Sequence, residues 1–217
     1  MEKQVAVLFA RNDSIYKEFD ICDVYDIDRD ARNFTGGLPI VAHPPCRAWG
    51  RLRGFAKPLP GEKELALFAV DMIRKWGGVL EHPETSKLWD AKALPLGREI
   101  DEYGGLTISV DQFWWGHRAR KRTWLYIVGC PPAEVPAIPL RFDAITHAVS
   151  SAMRRGRKYF KPKPAISKAE REQTPPAFAE WLVCLAIKCS KSHDYANTYP
   201  IVHHSNDGDT IRQPHAG

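Results

Sequence analysis

The chain has 217 residues, 44% of them hydrophobic, with seven tryptophans and a formal net charge of +5, which supports one good core and leaves little room for two full domains. It shows no charged-then-apolar leader and no apolar stretch near membrane-spanning length, so a soluble cytoplasmic protein is expected. The five cysteines, Cys22, Cys46, Cys130, Cys184 and Cys189, are odd in number and lack the close spacing of a zinc site or a disulfide framework, so free thiols in a reducing compartment are expected.

Elements alternate between strand and helix along the chain. Val5 to Phe9 is a continuous apolar run of the kind buried on both faces. Cys22 to Ile27 predicts a second strand, ending in the acidic cluster Asp26, Asp28 and Asp30. Leu38 to Ala42 predicts a third. Pro44-Pro45-Cys46 follows it directly, and a Pro/Gly-rich loop then carries Arg47, Trp49, Arg51 and Arg53. Leu65, Phe68, Ala69, Met72, Ile73 and Trp76 recur at helical steps, and Gly77-Gly78 closes that helix. Val79-Leu80 leads to Glu81 in a short buried strand. Thr107 to Val110 and Thr123 to Val128 predict two more strands. A last helix opens at Thr174-Pro175-Pro176 and shows an apolar face of Phe178, Trp181, Leu182 and Leu185. The fold class is α/β, one domain over residues 1–190 with a mostly parallel sheet. A short basic arm spans 130–174, and a polar tail spans 191–217.

Three groups carry chemistry. A thiol at the C-terminal lip of a strand stands where open α/β sheets place their sites. Glu81 ends a neighbouring strand. Arg118, Arg120 and Arg122 precede another, and a second basic run, Arg154, Arg155, Arg157, Lys158, Lys161 and Lys163, is interleaved with Tyr159 and Phe160. Such clusters track phosphates, although a solvated face with a basic loop produces the same composition. Each group has an ordinary structural reading as well. Cys46 fits a small buried residue, and Glu81 fits a partner of Arg74 or Lys75. His43 and Cys46 do not follow a zinc-ligand spacing, so no metal is expected.

In this order the pieces resemble the cytosine carbon-5 DNA methyltransferases. Pro44-Pro45-Cys46 is similar to the family's Pro-Cys nucleophile motif. Glu81-His82-Pro83 stands at its Glu-Asn-Val motif with only the glutamate kept. Trp115-Gly116, Arg120-Lys121-Arg122 and Ile127-Val128-Gly129 are similar to its aromatic-Gly, Arg-x-Arg and Val-Gly elements, and Pro175-Pro176 to its closing motif. The resemblance implies a truncated Rossmann-like methyltransferase-type domain acting on a flipped cytosine in DNA, most simply by transferring a methyl group from S-adenosylmethionine to carbon 5. It implies Cys46 as nucleophile toward carbon 6, Glu81 as a neutral acid donating to N3, and Arg120 and Arg122 as stabilising cations. Phe9, Asp26, Asp28 and Pro44 would bind the cofactor. Arg47, Arg51, Arg118, Lys121, Arg154, Arg155, Arg157 and Lys158 would bind DNA. The chain departs from the family at Phe9-Ala10-Arg11-Asn12-Asp13-Ser14, where Phe-x-Gly-x-Gly is usual, and only Cys130 to Thr174 stands where a large recognition region normally lies, so a partner protein could supply target choice. The same thiol addition used for another cytosine modification or for deamination without S-adenosylmethionine, and a non-catalytic DNA-binding protein, are the competing readings.

Overall fold

The computed structural model describes residues 1–51, 53–149 and 163–189. The tail at 191–217 and the expected DNA-binding residues Arg154, Arg155, Arg157 and Lys158 lie outside the described residues. Six strands form one sheet: β1 (Val5–Leu8), β2 (Cys22–Tyr25), β3 (Ile40–Ala42), β4 (Gly78–Pro83), β5 (Leu106–Asp111) and β6 (Arg122–Val128). Their order is β2-β1-β3-β4-β6-β5. The first four run parallel, and β6 is antiparallel to both of its neighbours. The architecture is α/β with a mixed, mostly parallel sheet, compatible with a Rossmann-like fold.

Two helices cover the sheet, α1 (Glu62–Trp76) on one face and α4 (Pro176–Cys189) on the other; α2 (Leu88–Ala91) and α3 (Lys168–Glu172) are short. Alternation along each strand divides the apolar residues between the faces. Val5, Val7, Val41, Val79, Leu125 and Ile127 pack with Phe178, Leu182 and Leu185 of α4. Ala6, Leu8, Ile40, Ala42, Leu80 and Tyr126 pack with Ala66, Ala69, Val70 and Ile73 of α1. Both faces are covered by a helix, which is why the strands read as unbroken apolar runs.

Local chemistry sets the element ends. Gly77, at φ +76°, returns its N–H to the Ile73 carbonyl and stops α1. Gly78 starts β4 so close to β3 that a Cβ would lie 2.1 Å from the Ile40 carbonyl oxygen. Strand β1 ends one residue early because Phe9 takes φ 62°. Strand β2 ends at Tyr25 because the Asp26 carboxylate accepts from the backbone N–H groups of Asp28 and Arg29 and closes a turn. Part of 130–174 is packed rather than free. Val135 and Ile138 lie on the α4-face core, and the Trp181 indole donates to the Ala137 carbonyl at 3.0 Å. The C-terminal ends of β3, β4 and β5 and the start of β6 therefore share one edge of the sheet.

Candidate active site

Cys46 leaves the lip of β3 and opens a turn, its carbonyl accepting from the N–H groups of Trp49 (3.0 Å) and Gly50 (2.8 Å). Pro44 is buried beneath it. Cys46 as a residue is exposed, yet protein atoms crowd the sulfur. Burial and the Glu81 charge raise the thiol pKa, while Lys121 pulls it down. At rest the group is therefore a thiol.

Glu81, with a side chain 14% exposed, sits at the centre of a chain of hydrogen bonds. Its Oε2 lies 3.1 Å from His43 Nδ1, and its Oε1 accepts from Gln112 Nε2 at 3.1 Å. The far ring nitrogen of His43 lies 2.9 Å from the Tyr16 hydroxyl. Burial holds the Tyr16 phenol pKa well above its usual range, so it stays protonated and donates to His43 Nε2, and His43 Nδ1–H then donates to Glu81. Gln112 Nε2 also lies 3.1 Å from Thr123 Oγ1. Strand parity explains the grouping: His43 follows Val41 on the α4 face of β3, Glu81 follows Val79 on the same face of β4, and Thr123 precedes Leu125 there on β6.

This network corrects the expected protonation state of Glu81. Burial by itself would raise the carboxyl pKa, but the His43 hydrogen bond and the Lys121 charge outweigh it and hold the value at about 2. Glu81 is an anion at rest, not the neutral acid expected. It needs a loaded proton before it can donate one.

The cation assignment also changes. Arg120 Nε is bound to Asp111 Oδ2 at 2.9 Å with its side chain 64% exposed, and Arg122 Nε is bound to Glu84 at 3.1 Å. The cation acting most on both Cys46 and Glu81 is Lys121, which was expected only as a DNA contact. On an extended strand Lys121 points opposite to Arg120 and Arg122, toward the Glu81 face, and its Nζ lies 3.5 Å from the Gln173 carbonyl. Arg118 is engaged by Glu170. Arg47 makes a double hydrogen bond to Glu62 at the start of α1. Arg51 is exposed without an ion-pair partner among the described residues.

The residues expected to hold S-adenosylmethionine do not fit that group. Asp26, whose acid should receive ribose hydroxyls, is only 8% exposed and already accepts from Lys17 Nζ (2.6 Å) and from the backbone of Asp28 and Arg29. Lys17 and those N–H groups keep its pKa below the usual carboxylate range. Asp28 accepts from Asn12 at 3.2 Å. Phe9 packs edge-on against Phe68. Arg11, in the turn after β1, binds Asp13 at 2.8 Å and Glu172 of α3 at 2.9 Å, tying this turn across to α3. Glycine's close approach to a ligand is absent here.

Sequence reading missed Tyr16, His43 and Gln112 as members of the site. The signal for His43 was its place directly before Pro44-Pro45-Cys46; Tyr16 and Gln112 gave none. Among the described residues no cluster of three or more His, Cys, Asp or Glu side chains could hold a metal ion, and no helix is long and apolar enough to cross a membrane. No protein-family model matches the chain, and no curated protein matches it.

Proposed function

We propose that this chain is a cytosine-modifying enzyme acting on DNA by addition of the Cys46 sulfur to carbon 6 of an extruded base. One observation carries the reading: a thiol, an ionised glutamate gripped by His43 and Gln112, and a lysine charge converge on one edge of the sheet. Cytosine presents an N4 amino donor, and an anionic carboxylate is the acceptor that suits it. A duplex hides these atoms, so the base is taken out of the stack.

The addition balances without an outside acid. The Sγ–H bond of Cys46 breaks, an Sγ–C6 bond forms, and the displaced electron pair makes N3 basic enough to take up the proton the sulfur has lost. The Glu81–His43 pair is proposed to relay that proton, and Lys121 to offset the negative charge that passes through the site. Carbon 5 then becomes nucleophilic, and carbon 4 opens to attack by water. No step runs through S-adenosylmethionine, because Asp26 and Arg11 are committed to protein partners. That saturation favours a modification other than methyl transfer from this group bound at the ends of β1 and β2.

The test is covalent capture on DNA carrying 2-pyrimidinone at the target position, whose carbon 6 adds thiols more readily than that of cytosine and holds the adduct with no group transferred to carbon 5. Wild-type protein is expected to form a complex that survives denaturing electrophoresis, Cys46→Ser to form none, and Cys184→Ser to behave as wild type. Capture by Cys46→Ser, or none by the wild type, overturns the proposal.

A further inference from the structure

The turn that Cys46 opens continues into a loop with a fixed stem and an open tip. The stem is held by the Arg47–Glu62 pair, by the Trp49 indole donating to the Lys63 carbonyl at 3.0 Å, and by Glu62 Oε2 accepting from Leu59 N–H at 3.1 Å. Trp49 is 4% exposed and belongs to the α1-face core. At the tip, the Arg53–Phe55 turn presents a phenyl ring that is 90% exposed. From Arg47 to Gly61 the chain carries four cations and no acid. Arg51, Arg53 and Lys57 have no ion-pair partner among the described residues.

A large apolar ring left in water beside three unpaired cations has a specific use. Nucleic acid offers a phosphate backbone for the cations and a π-face for the ring, and apolar side chains among basic ones are how proteins unstack a base step. Among the described residues the other comparably exposed ring, Phe142 at 93%, lacks this setting: its neighbour Arg141 is already paired with Asp143 and faces the Phe113 ring. The stem fixes the tip relative to Cys46, because the first turn of the loop hangs on the Cys46 carbonyl.

We infer that the Arg53–Lys57 tip is a DNA-docking element in which Phe55 stacks on a base beside the extruded cytosine while Arg51, Arg53 and Lys57 hold the flanking phosphates. The inference rests on the reading of the chain as a DNA-directed enzyme. It adds a binding residue that does no chemistry.

The experiment measures binding of the full chain to duplex DNA in which 2-aminopurine stands next to the target cytosine, following both affinity and 2-aminopurine fluorescence. Phe55→Ala is expected to weaken binding about 10-fold and to abolish the fluorescence change, with the salt dependence of binding unchanged. Phe55→Trp is expected to restore affinity, and Phe142→Ala to match wild type. Arg53→Ala is expected to lower the slope of log affinity against log salt by about 1. Wild-type binding that Phe55→Ala leaves intact overturns the docking role of the ring and leaves the Cys46 chemistry standing. No binding by the wild type overturns both.

Discussion

Glu81 and His82 are adjacent on β4, both almost sealed from water, and the sheet sends them to opposite faces. Glu81 enters a polar corner where His43 and Gln112 donate to it, and it keeps its charge. His82 enters the apolar α1 face, 0% exposed and edge-on to Trp89, and among the described residues neither of its ring nitrogens has a partner. Burial drives its pKa down to about 4 against a pull from Glu81. The same strand thus holds one ionisable group ready for chemistry and one kept neutral by packing. Burial alone does not mark a functional residue; a set of donors aimed at a charge does.

The harshest way to break this comparison is to remove the strand. Gly78→Ala forces a Cβ against the Ile40 carbonyl at a φ of +128°, and a loss of at least about 3 kcal/mol in urea unfolding is expected. A stability that stays within about 1 kcal/mol of wild type would mean that β3 and β4 part more easily than their register implies.

Acid separates the two neighbours by pH. The unfolded chain protonates histidine near 6.5, whereas His82 resists to about 4, so the unfolded state holds more protons in between and stability falls as pH drops through that window, by about 3 kcal/mol at most. Glu81 behaves in the same direction but lower. Its contribution is intact above about 4.5 and is lost as pH falls toward about 2. Denaturant titrations of His82→Phe are expected to lose the upper window and keep the lower one, and Glu81→Gln the reverse. An unchanged upper window in His82→Phe would assign that acid sensitivity elsewhere.

Removing the donor side of the network has a smaller effect. His43→Leu leaves the Glu81 carboxylate and the Tyr16 hydroxyl short of a partner, and a loss of about 2 kcal/mol is expected. His43→Gln, which can still donate to the carboxylate, is expected to recover part of it. Equal losses in both variants would make His43 a packing residue.

The smallest effect sharpens the cation assignment. Lys121→Met is expected to slow alkylation of Cys46 by iodoacetamide about threefold at pH 8, because a thiol that loses the cation lowering its pKa gives less thiolate. Arg120→Met is expected to leave that rate unchanged. A reversed order would return the role to the arginine.

Much of this was legible in one dimension. Unbroken apolar runs reported strands covered on both faces, and the helical spacing from Leu65 to Trp76 reported α1, because side-chain periodicity is fixed by local backbone geometry. The position of Cys46 behind β3 followed directly, and Glu81 fell on β4 as expected, although the strand runs on to Pro83 instead of ending at the glutamate. The antiparallel course of β6 did not, since direction depends on which strand it pairs with. Nor did Tyr16, which reaches the site from the turn after β1, or Gln112, which reaches it from the turn after β5.

The sequence by itself determined the element order, the two apolar faces and the thiol at the strand lip, all set by residues close together in the chain. Tertiary structure decided which neighbour in Arg120-Lys121-Arg122 turns to the Glu81 face of the sheet, which partners surround Glu81, and hence that its carboxyl is charged. Those outcomes depend on strand register and on the field of groups tens of residues apart, and a carboxylate's proton affinity is a property of that field rather than of its own side chain.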